Sequence, residues 1–320
     1  MTSVLERTKE AIRCWHDAWD GMICVSYSGG MDSEVLGHIT RSMYPEVPFV
    51  FANTGLEYPE LVAHVKKHQN VIIVRPKKSF KWVLENKGVP VVSKKVARFV
   101  RDLRKPLTAY NKNQTKLRLM GITRDGNYVP SMKLPSKWMR LINAPFLISE
   151  ECCDITKKEP LKRYQKETGR MPMIGVMAEE GGQRAVQINR AGLHGCNLYD
   201  SKAPISKPLS FWTHQEILRY IVDNKISYAP VYGQILTGSG GELYTTGERR
   251  TGCMFCCFGV HLEPEPNRFQ RMEETHPKQY KFCMESLGLR EVIEYLGVPS
   301  RKRQFCLPGF TQNKELVTGC

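Results

Sequence analysis

Short, uninterrupted hydrophobic runs alternate with amphipathic segments along the N-terminal quarter of the chain. The hydrophobic runs cover residues 22–26, 47–52 and 71–74, and runs of this length are typical of strands buried on both faces of a parallel sheet. The amphipathic segments predict helices over residues 4–20, 34–42 and 58–68. This alternation with short connections favours an α/β fold with an open, doubly wound, mostly parallel sheet, in which ligands bind beyond the carboxyl ends of the strands.

The alternation fades over residues 93–140 and resumes near residue 173. A further strand is predicted over 173–177, and a helix over 213–224 with Thr213 as its N-cap. We therefore expect an N-terminal helix (1–20), an α/β domain (21–250) and a C-terminal cysteine-rich segment (251–320). The α/β domain contains an irregular insertion or lid at about 93–140. The C-terminal segment contains a helix around 267–288.

Composition places the chain among globular proteins that do not enter membranes. Its 320 residues are 41% hydrophobic and 25% charged, enough for one large core or two modest ones. No run of about 18 apolar residues is present, and residues 1–10 are charged rather than forming an apolar signal core. We expect a cytoplasmic protein whose eleven cysteines are reduced or bound to metal.

Positive charge is concentrated in the insertion. The chain has a formal charge of +15, and residues 93–140 carry thirteen Lys or Arg against two acids. Such a concentration attracts polyanions, either nucleic acid or a multiply phosphorylated substrate. Aromatic side chains that can stack on bases interrupt the basic stretch at Phe99, Tyr110, Tyr128 and Trp138. The alternative is a solvated lid over a small anionic nucleotide.

The string Ser28-Gly-Gly-Met-Asp-Ser33 lies where the first buried strand gives way to a helix. Glycines let the backbone approach an anion, and the N–H groups and dipole of the helix supply positive potential. Ser28 and Ser33 add hydroxyl donors, and Asp32 can hold Mg²⁺ or organise the loop. The complete string in this position predicts a phosphate-binding loop rather than a purely structural turn.

This string resembles the PP-loop of ATP pyrophosphatases, which split ATP into AMP and pyrophosphate while adenylating an acceptor. Three further segments resemble PAPS and APS (sulfonucleotide) reductases: Asn53-Thr-Gly-Leu-Glu-Tyr-Pro-Glu60; Gly175 with Glu179, Glu180, Arg184 and Arg190; and Lys207-Pro-Leu-Ser-Phe-Trp-Thr213 with Tyr228-Ala-Pro-Val-Tyr232. In the first, Asn53 replaces the usual acid. The resemblance implies an adenine-nucleotide α-hydrolase-like, Rossmann-like fold that binds ATP with Mg²⁺. It assigns nucleotide binding to Ser28, Gly29, Gly30, Met31, Asp32, Ser33, Asn53, Thr54 and Gly55, and catalysis to Asp32, Ser33 and Arg184.

Two cysteine pairs form a candidate metal centre. Cys152-Cys153 precedes Cys253-Met-Phe-Cys256 by about a hundred residues, and Cys-x-x-Cys turns two sulfurs toward one centre. Adjacent cysteines reach one zinc ion only with strain, whereas they can bind separate irons of a cubane, so iron-sulfur is favoured over zinc and over unligated thiols. Cys257 offers a neighbouring alternative to Cys256. The pattern resembles the [4Fe-4S] ligands of APS reductases and of the PP-loop protein of bacterial DNA phosphorothioation, and Lys157 and Pro160-Leu161 fit that family too.

Two chemistries remain open. Sulfonucleotide reductases attack APS or PAPS with a thiolate from a Glu-Cys-Gly-Leu-His segment, which this sequence lacks, although Cys306 or Cys320 could be a redox nucleophile. Those reductases also carry an altered loop, whereas Gly-Gly-x-Asp-Ser is intact here. We therefore expect ATP-dependent adenylation of an acceptor, with sulfur delivered by a donor protein and with nucleic acid as the acceptor. The alternatives are a reductase that forms sulfite and a non-catalytic nucleotide- and cluster-binding subunit of a modification or defence complex.

Overall fold

A computed structural model of the chain describes residues 3–177, 179, 196–199 and 203–301. Contacts divide the chain into two compact units, residues 1–258 and residues 259–320. Within the described ranges, no helix combines the length and the apolar character needed to cross a bilayer.

The first unit is built around a six-stranded, mostly parallel sheet with the order β3-β2-β1-β5-β7-β6. Its strands are β1 (Ile23–Tyr27), β2 (Phe49–Ala52), β3 (Val71–Val74), β5 (Met171–Ile174), β6 (Asn197–Leu198) and β7 (Ile205–Ser206), and β4 (Val91–Val92) lies outside it. All of the pairings are parallel except β6 with β7. The predicted α/β fold class is confirmed. The chain winds from β1 out to β3 and then returns to the other side of β1, where β5 lies. The switch point of the sheet is therefore between β1 and β5.

Helices flank this sheet in the order expected from the hydrophobic pattern. They are α1 (Val4–Ala18), α2 (Met31–Met43), α3 (Pro59–Val65), α4 (Phe80–Asn86), α5 (Lys94–Leu103), α6 (Lys112–Met120), α7 (Glu159–Thr168) and α8 (His214–Asp223). Thr213 caps α8 in a capping box with Glu216, as its sequence position predicts. Helix α2 begins three residues earlier than predicted because Gly30, with extended backbone, takes the N-cap position. Asp32 and Ser33 therefore lie in the first helical turn.

Two predicted elements differ from the structure for steric reasons. The strand expected over 173–177 is β5, which ends before Gly175. A Cβ at Gly175 would lie 3.0 Å from the carbonyl of Asp32, so the backbone approaches α2 instead of continuing in the sheet. The helix expected around 267–288 is interrupted after Thr275, where His276 adopts a non-helical conformation before Pro277.

The second unit is a small helical assembly. Its regular elements are α9 (Arg268–Thr275), α10 (Pro277–Lys281), the π-helical segment Phe282–Ser286 and α11 (Leu289–Tyr295). Asn267 caps α9 with its side chain and also donates to the carbonyl of Pro299. Phe269, Cys283 and Ile293 are fully buried within this unit, so Cys283 is a core thiol.

The insertion forms two helices with a core of their own, where the sequence predicted an irregular lid. Phe99, Leu134 and Leu141 are buried there. The guanidinium of Arg118 lies 3.9 Å from the Phe99 ring centroid, and its Nε donates to Asp102 over 3.2 Å. The sequence interpretation missed this core because cations dominate the stretch, although Val96, Ala97, Phe99 and Val100 form a short apolar face on α5. The insertion is thus a packed element of the first unit.

A second, smaller set of pairings joins distant parts of the first unit. Strand β4 pairs in parallel with β10 (Cys257–Phe258), and Val89 forms a parallel bridge with Ile148. Residues 89–92 are thus held between the segment before Cys152 and the segment after Cys256. This pairing explains why the unit boundary falls after residue 258, whereas the sequence placed it at 250. A separate hairpin consists of β8 (Ile235–Thr237) and β9 (Leu243–Thr245).

Candidate active site

A cavity of about 470 Å³ opens beyond the carboxyl ends of β1, β2 and β5. Ser28 and Ser33 of the predicted nucleotide loop line it, as do Gly175 and Val176 after β5. The cavity lies at the switch point where α/β sheets bind ligands, and its volume falls in the usual range for small-molecule sites.

The nucleotide loop is organised by its own two serines. The Oγ of Ser33 donates to the carbonyl of Gly30 over 2.8 Å and accepts from the backbone N–H of Ser28. The two serine Oγ atoms lie 3.1 Å apart, and Ser28 Oγ also accepts from the N–H of Gly30. These bonds hold both hydroxyls beside the N-terminus of α2, where the positive end of the helix dipole attracts an anion.

Two glycines allow the backbone to pass through this crowded region. Gly29 has a φ of +73°, and a Cβ there would lie 2.8 Å from Leu61 Cδ2. Gly175 brings the end of β5 against the first turn of α2, since its Cβ would lie 3.2 Å from the Ser33 nitrogen. The loop is therefore clamped between α3 and β5.

Tyr232 and Thr251 support the loop from the other side. Their hydroxyls lie 2.7 Å apart, and burial raises the pKa of Tyr232 to about 12, against hydrogen bonds from Thr251 and the Met31 backbone. Thr251 also lines the cavity. The sequence pointed to Tyr232 only as part of a motif and gave no signal for Thr251, which lies in a loop between unrelated elements.

Lysines form a basic wall of the cavity. Lys157 and Lys158 lie in the π-helical turn Asp154–Lys158 that leads into α7, and Lys162 lies in α7 itself. All three line the cavity. The sequence analysis named only Lys157. It did not name Lys158 and Lys162, because a segment with charges of both signs is typical of a solvent-exposed surface. Together with the α2 N-terminus, this wall gives the cavity a positive potential.

The segment after β2 forms a tight turn closed by Glu57. The Glu57 carboxylate accepts from the hydroxyl and the N–H of Thr54, and Asn53 Oδ1 accepts from the N–H of Gly55. Ala52 and Glu57 line the cavity, whereas Asn53, Thr54 and Gly55 are not among its described lining residues. The predicted nucleotide-binding role of these three residues stays a prediction.

The two cysteine pairs lie in the same part of the first unit. Cys152 is buried, while Cys153, Cys253 and Cys256 are half-buried. The Cys253-to-Cys256 turn is closed by the Cys256 N–H donating to the Cys253 carbonyl over 3.1 Å. Cys253 also lines the cavity, so a group bound by these thiols would adjoin the nucleotide loop.

The four thiols influence one another electrostatically. Burial, with smaller contributions from the neighbouring Cys153 and Cys256, raises the pKa of Cys152 to about 12 against the opposing effects of Thr156 and Lys94. Burial also raises the pKa of Cys253, while Lys157 lowers it. Clustered thiols become thiolates when they bind a metal ion, and the four cysteines are close enough to interact, so these residues fit a metal centre.

The spacing of the sulfurs distinguishes between kinds of centre. Among the described residues, the only three His, Cys, Asp or Glu ligand atoms that all lie within 4.8 Å of one another belong to Glu34, His64 and His68. No three of the cysteine sulfurs are thus so close together, whereas four thiolates on one zinc ion lie about 3.8 Å apart, given a Zn–S bond of about 2.3 Å.

Cys257 is fully buried in β10, with its Sγ 3.8 Å from the carbonyl oxygen of Phe255. The neighbouring Cys256 faces the other cysteines, because successive side chains of an extended segment point in opposite directions.

Several sequence-predicted residues lie outside the described ranges: Glu180, Arg184, Arg190, Cys306 and Cys320. Glu179 is described, and its carboxylate accepts from the backbone N–H of His214 at the start of α8. The structure thus gives Glu179 a helix-capping contact.

Three cations of the insertion are held in internal contacts. Arg101 pairs with Glu150 and Glu151, Arg104 donates to carbonyls of residues 141–146, and Arg118 is buried beside Asp102. The exposed cations are Lys94, Lys95, Arg98, Lys105, Lys112, Lys116, Arg124, Lys133, Lys137 and Arg140.

The aromatic side chains of the insertion fall into two groups. Tyr110 is fully exposed and Tyr128 is 63% exposed. Phe99 and Trp138 are buried, so of the four aromatics named from the sequence these two are not available to stack on bases.

Comparison with known proteins identifies a family. The family model of the phosphoadenosine phosphosulfate reductase domain matches residues 22–141 and 110–257. An uncharacterised protein of Methanocaldococcus jannaschii is 22% identical over 269 residues, 81% of this chain and 46% of that protein. A phosphoadenosine 5'-phosphosulfate reductase of Gloeobacter violaceus is 31% identical over 87 residues, 27% of this chain and 33% of that protein. The chain therefore spans less than half the length of each of these relatives.

Two solved structures are similar at a low level. Phosphoadenylyl-sulfate reductase of Candida auris, in a phosphate complex, has a TM-score of 0.39 and 14% identity, covering 70% of this chain and 82% of that one. The U34-tRNA thiolase NcsA of Methanococcus maripaludis, with its [4Fe-4S] cluster, has a TM-score of 0.39 and 15% identity, covering 98% and 86%. Structural similarity at this level does not indicate the activity of this chain.

Proposed function

Because the chain belongs to the phosphoadenosine phosphosulfate reductase family, we propose that it is a PP-loop enzyme that splits ATP into AMP and pyrophosphate to activate an acceptor for sulfur transfer. One observation carries the proposal: Ser28 and Ser33 of the nucleotide loop line the same cavity as Cys253 of the metal-candidate group. The acceptor that the surface charge favours is nucleic acid. We place the enzyme in the cytoplasm, where thiols stay reduced.

The loop and the lysine wall would bind the phosphates of ATP from opposite sides. The first-turn N–H groups of α2 and the hydroxyls of Ser28 and Ser33 would stabilise the charge that develops on departing pyrophosphate. Lys157 and Lys162 supply further positive charge across the cavity. Asp32 would hold Mg²⁺, and Arg184 would assist as an anion ligand.

The cysteine group supports a [4Fe-4S] cluster bound by Cys152, Cys153, Cys253 and Cys256. The sulfurs are more widely spaced than one zinc ion allows, and adjacent cysteines can bind separate irons. When bound, such a cluster would supply an iron-sulfide centre at the edge of the cavity. The β4 and β10 pairing would orient that centre, and Lys157, which lines the same cavity as Cys253, would lie close to it.

The proposed reaction balances in two steps. An acceptor oxygen attacks the α-phosphorus of ATP, and the bond to pyrophosphate breaks. Hydrosulfide (HS⁻) released by a donor protein then attacks the carbon that bears the adenylated oxygen, the carbon–sulfur bond forms, and AMP leaves with that oxygen. The residues of the cavity bind, orient and neutralise charge in both steps.

Nucleic acid as acceptor is supported by the insertion. Its exposed cations and the exposed rings of Tyr110 and Tyr128 provide phosphate contacts and stacking surfaces. The insertion follows β4 directly, and β4 pairs with β10, the strand that follows Cys256. A nucleic acid bound to the insertion would therefore lie near the cysteine group. The alternative, in which the insertion only covers a small nucleotide, predicts negligible affinity for nucleic acid.

Anaerobically purified protein incubated with ATP, APS or PAPS, alone or with total tRNA or duplex DNA, tests the reaction. We expect pyrophosphate and AMP from ATP in the presence of the acceptor, and no sulfite.

Ser33→Ala should weaken ATP binding roughly 10- to 100-fold, because a hydrogen bond to a charged group is worth about 1.5–3 kcal/mol. Ser42→Ala, near the far end of α2, is the matched control. Equal ATP binding by both variants would refute the loop assignment.

Two other outcomes identify the alternative functions. Sulfite from APS or PAPS would show a sulfonucleotide reductase, which the 31% identical segment of the Gloeobacter violaceus enzyme favours. ATP binding without turnover, even with nucleic acid and a sulfide source, would indicate a nucleotide- and cluster-binding subunit of a larger complex.

A further inference from the structure

Three metal-ligating side chains converge behind the nucleotide loop. Glu34 lies in α2, His64 in α3 and His68 just after α3. His64 Nε2 lies 2.6 Å from Glu34 Oε1, and His68 Nε2 lies 3.3 Å from Glu34 Oε2 and 3.4 Å from His64 Nε2. Both imidazole nitrogens therefore face the same carboxylate and each other.

The carboxylate at the centre of this group is buried. Glu34 is 2% exposed and His64 is 3% exposed. The carboxylate also accepts a hydrogen bond from the hydroxyl of Tyr27. Among the described residues, the ion-pair partners of Glu34 are these two histidines. A buried carboxylate whose ion partners are imidazoles is well suited to a divalent cation.

The distances match the stereochemistry of a zinc-type ion. Two ligands at about 2.0–2.1 Å from a tetrahedral ion lie about 3.3–3.4 Å apart. The His68–His64 separation of 3.4 Å and the separation of 3.3 Å between His68 Nε2 and Glu34 Oε2 have this value. The 2.6 Å between His64 Nε2 and Glu34 Oε1 is a hydrogen-bond distance that would lengthen when the ion binds. We propose that Glu34, His64 and His68 bind a divalent transition-metal ion, with zinc as the best fit to this ligand set.

The site has an entry path and room for a further ligand. A cavity of about 480 Å³, separate from the nucleotide cavity, is lined by Glu34, His68 and His38. The hydroxyl of Tyr27 lies 2.9 Å from His68 Nε2. Water from this cavity or the tyrosine oxygen would complete a four-coordinate ion.

The metal would join the two helices that follow the nucleotide-binding segments. Glu34 is adjacent to Ser33, and His64 lies in α3, which begins directly after the Glu57 turn. The ion would thus fix the distance between the nucleotide loop and that turn. This inference does not rest on the proposed reaction, because none of the three ligands lines the nucleotide cavity.

Zinc binding to the anaerobically purified holoprotein, dialysed against buffered free zinc, tests the site. We expect one ion per chain whose X-ray absorption spectrum shows only nitrogen and oxygen neighbours at about 2.0–2.1 Å. Zinc at the cysteines would instead show sulfur at about 2.3 Å, so failure of the cluster proposal is distinguishable from failure of this one.

Variants locate the ion. His68→Ala removes a part-exposed ligand and should lower zinc affinity by about 10-fold or more, since even outer-shell partners of metal ligands are worth about 10–100-fold. His64→Asn, which keeps a polar side chain beside Glu34, should have the same effect. His38→Ala is the matched control, because His38 lines the same cavity but its Nδ1 lies 3.1 Å from the hydroxyl of Tyr220. No nitrogen- or oxygen-bound zinc in the holoprotein, or equal affinity in His68→Ala and His38→Ala, overturns the proposal.

Discussion

Neighbouring cysteines have different roles at residue scale. Cys256 belongs to the electrostatically coupled thiols, whereas Cys257 is buried in β10. We expect Cys256→Ala to lose most of the roughly four irons per chain of a cubane. Cys257→Ala should keep the iron and lose only about 1 kcal/mol of stability through the small cavity it leaves. Iron content and urea unfolding of the two purified variants check this. If Cys257→Ala lost iron and Cys256→Ala kept it, Cys257 would be the iron ligand and the prediction would be wrong.

The glycine at the loop entrance provides a second residue-scale prediction. Gly29 and Gly169 have nearly equal φ values of +73° and +72°, but a Cβ would meet Leu61 only at Gly29. Alanine at either position should cost about 1–2 kcal/mol for the left-handed backbone. Gly29→Ala should also displace the loop and abolish detectable ATP binding. Calorimetry with ATP, alongside thermal unfolding, separates the two effects. Normal ATP binding by Gly29→Ala would contradict the loop geometry.

Local chemistry made some of these residues predictable and others not. Ser28 to Ser33 was recognisable because strand, glycines and hydroxyls are contiguous in the chain. Thr251 and Lys162 reach the cavity from elements whose own sequences are unremarkable. The sequence analysis did not name Glu34, His64 and His68, because nothing in their own segments marks them as ligands. The four-residue spacing of the two histidines in the predicted helix 58–68 is a weak signal that they share a face.

At element scale, one ion-pair group ties the insertion to the cysteines. Arg101 of α5 pairs with Glu150 and Glu151, directly before Cys152. Arg101→Gln should lower stability by about 1 kcal/mol and speed the loss of iron to a chelator. Arg98→Gln, on an exposed position of the same helix, should not change that rate. The decay of cluster absorbance under chelator measures both. Equal rates in the two variants would mean that the ion pairs do not support the cysteine segment.

Helix and strand identities were more predictable than their ends. The pattern located β1 to β3 because buried parallel strands are continuous apolar runs. It did not place the start of α2, which depends on the backbone conformation of Gly30. It also did not reveal α5 and α6, although α5 buries Val96, Phe99 and Val100 at helical spacing, because cations surround this short apolar face and a buried arginine stacks on Phe99.

At the scale of the whole molecule, the excess positive charge has a measurable consequence. Replacing Lys95, Arg98, Lys112 and Lys116 by Gln should weaken binding to all nucleic acids and flatten its salt dependence, by about 0.9 in slope per lost contact on duplex DNA. ATP affinity should stay unchanged. Titrations of labelled single-stranded DNA, duplex DNA and tRNA at two salt concentrations test this. Weaker ATP binding with an unaltered salt slope would instead indicate a lid over the nucleotide.

The pairing of β4 with β10 has a consequence for how the protein matures. Val91 and Cys257 are separated by about half of the chain, and contacts across so long a loop form late in folding. During synthesis, Cys152 and Cys153 leave the ribosome long before their partners exist, so they spend that interval as open, oxidisable thiols. The proposed cluster would therefore form only after translation has passed Cys256 and the two strands have met. Its loading would be a post-translational event, and the yield would depend on how quickly the cell delivers iron and sulfide to a chain that has just closed.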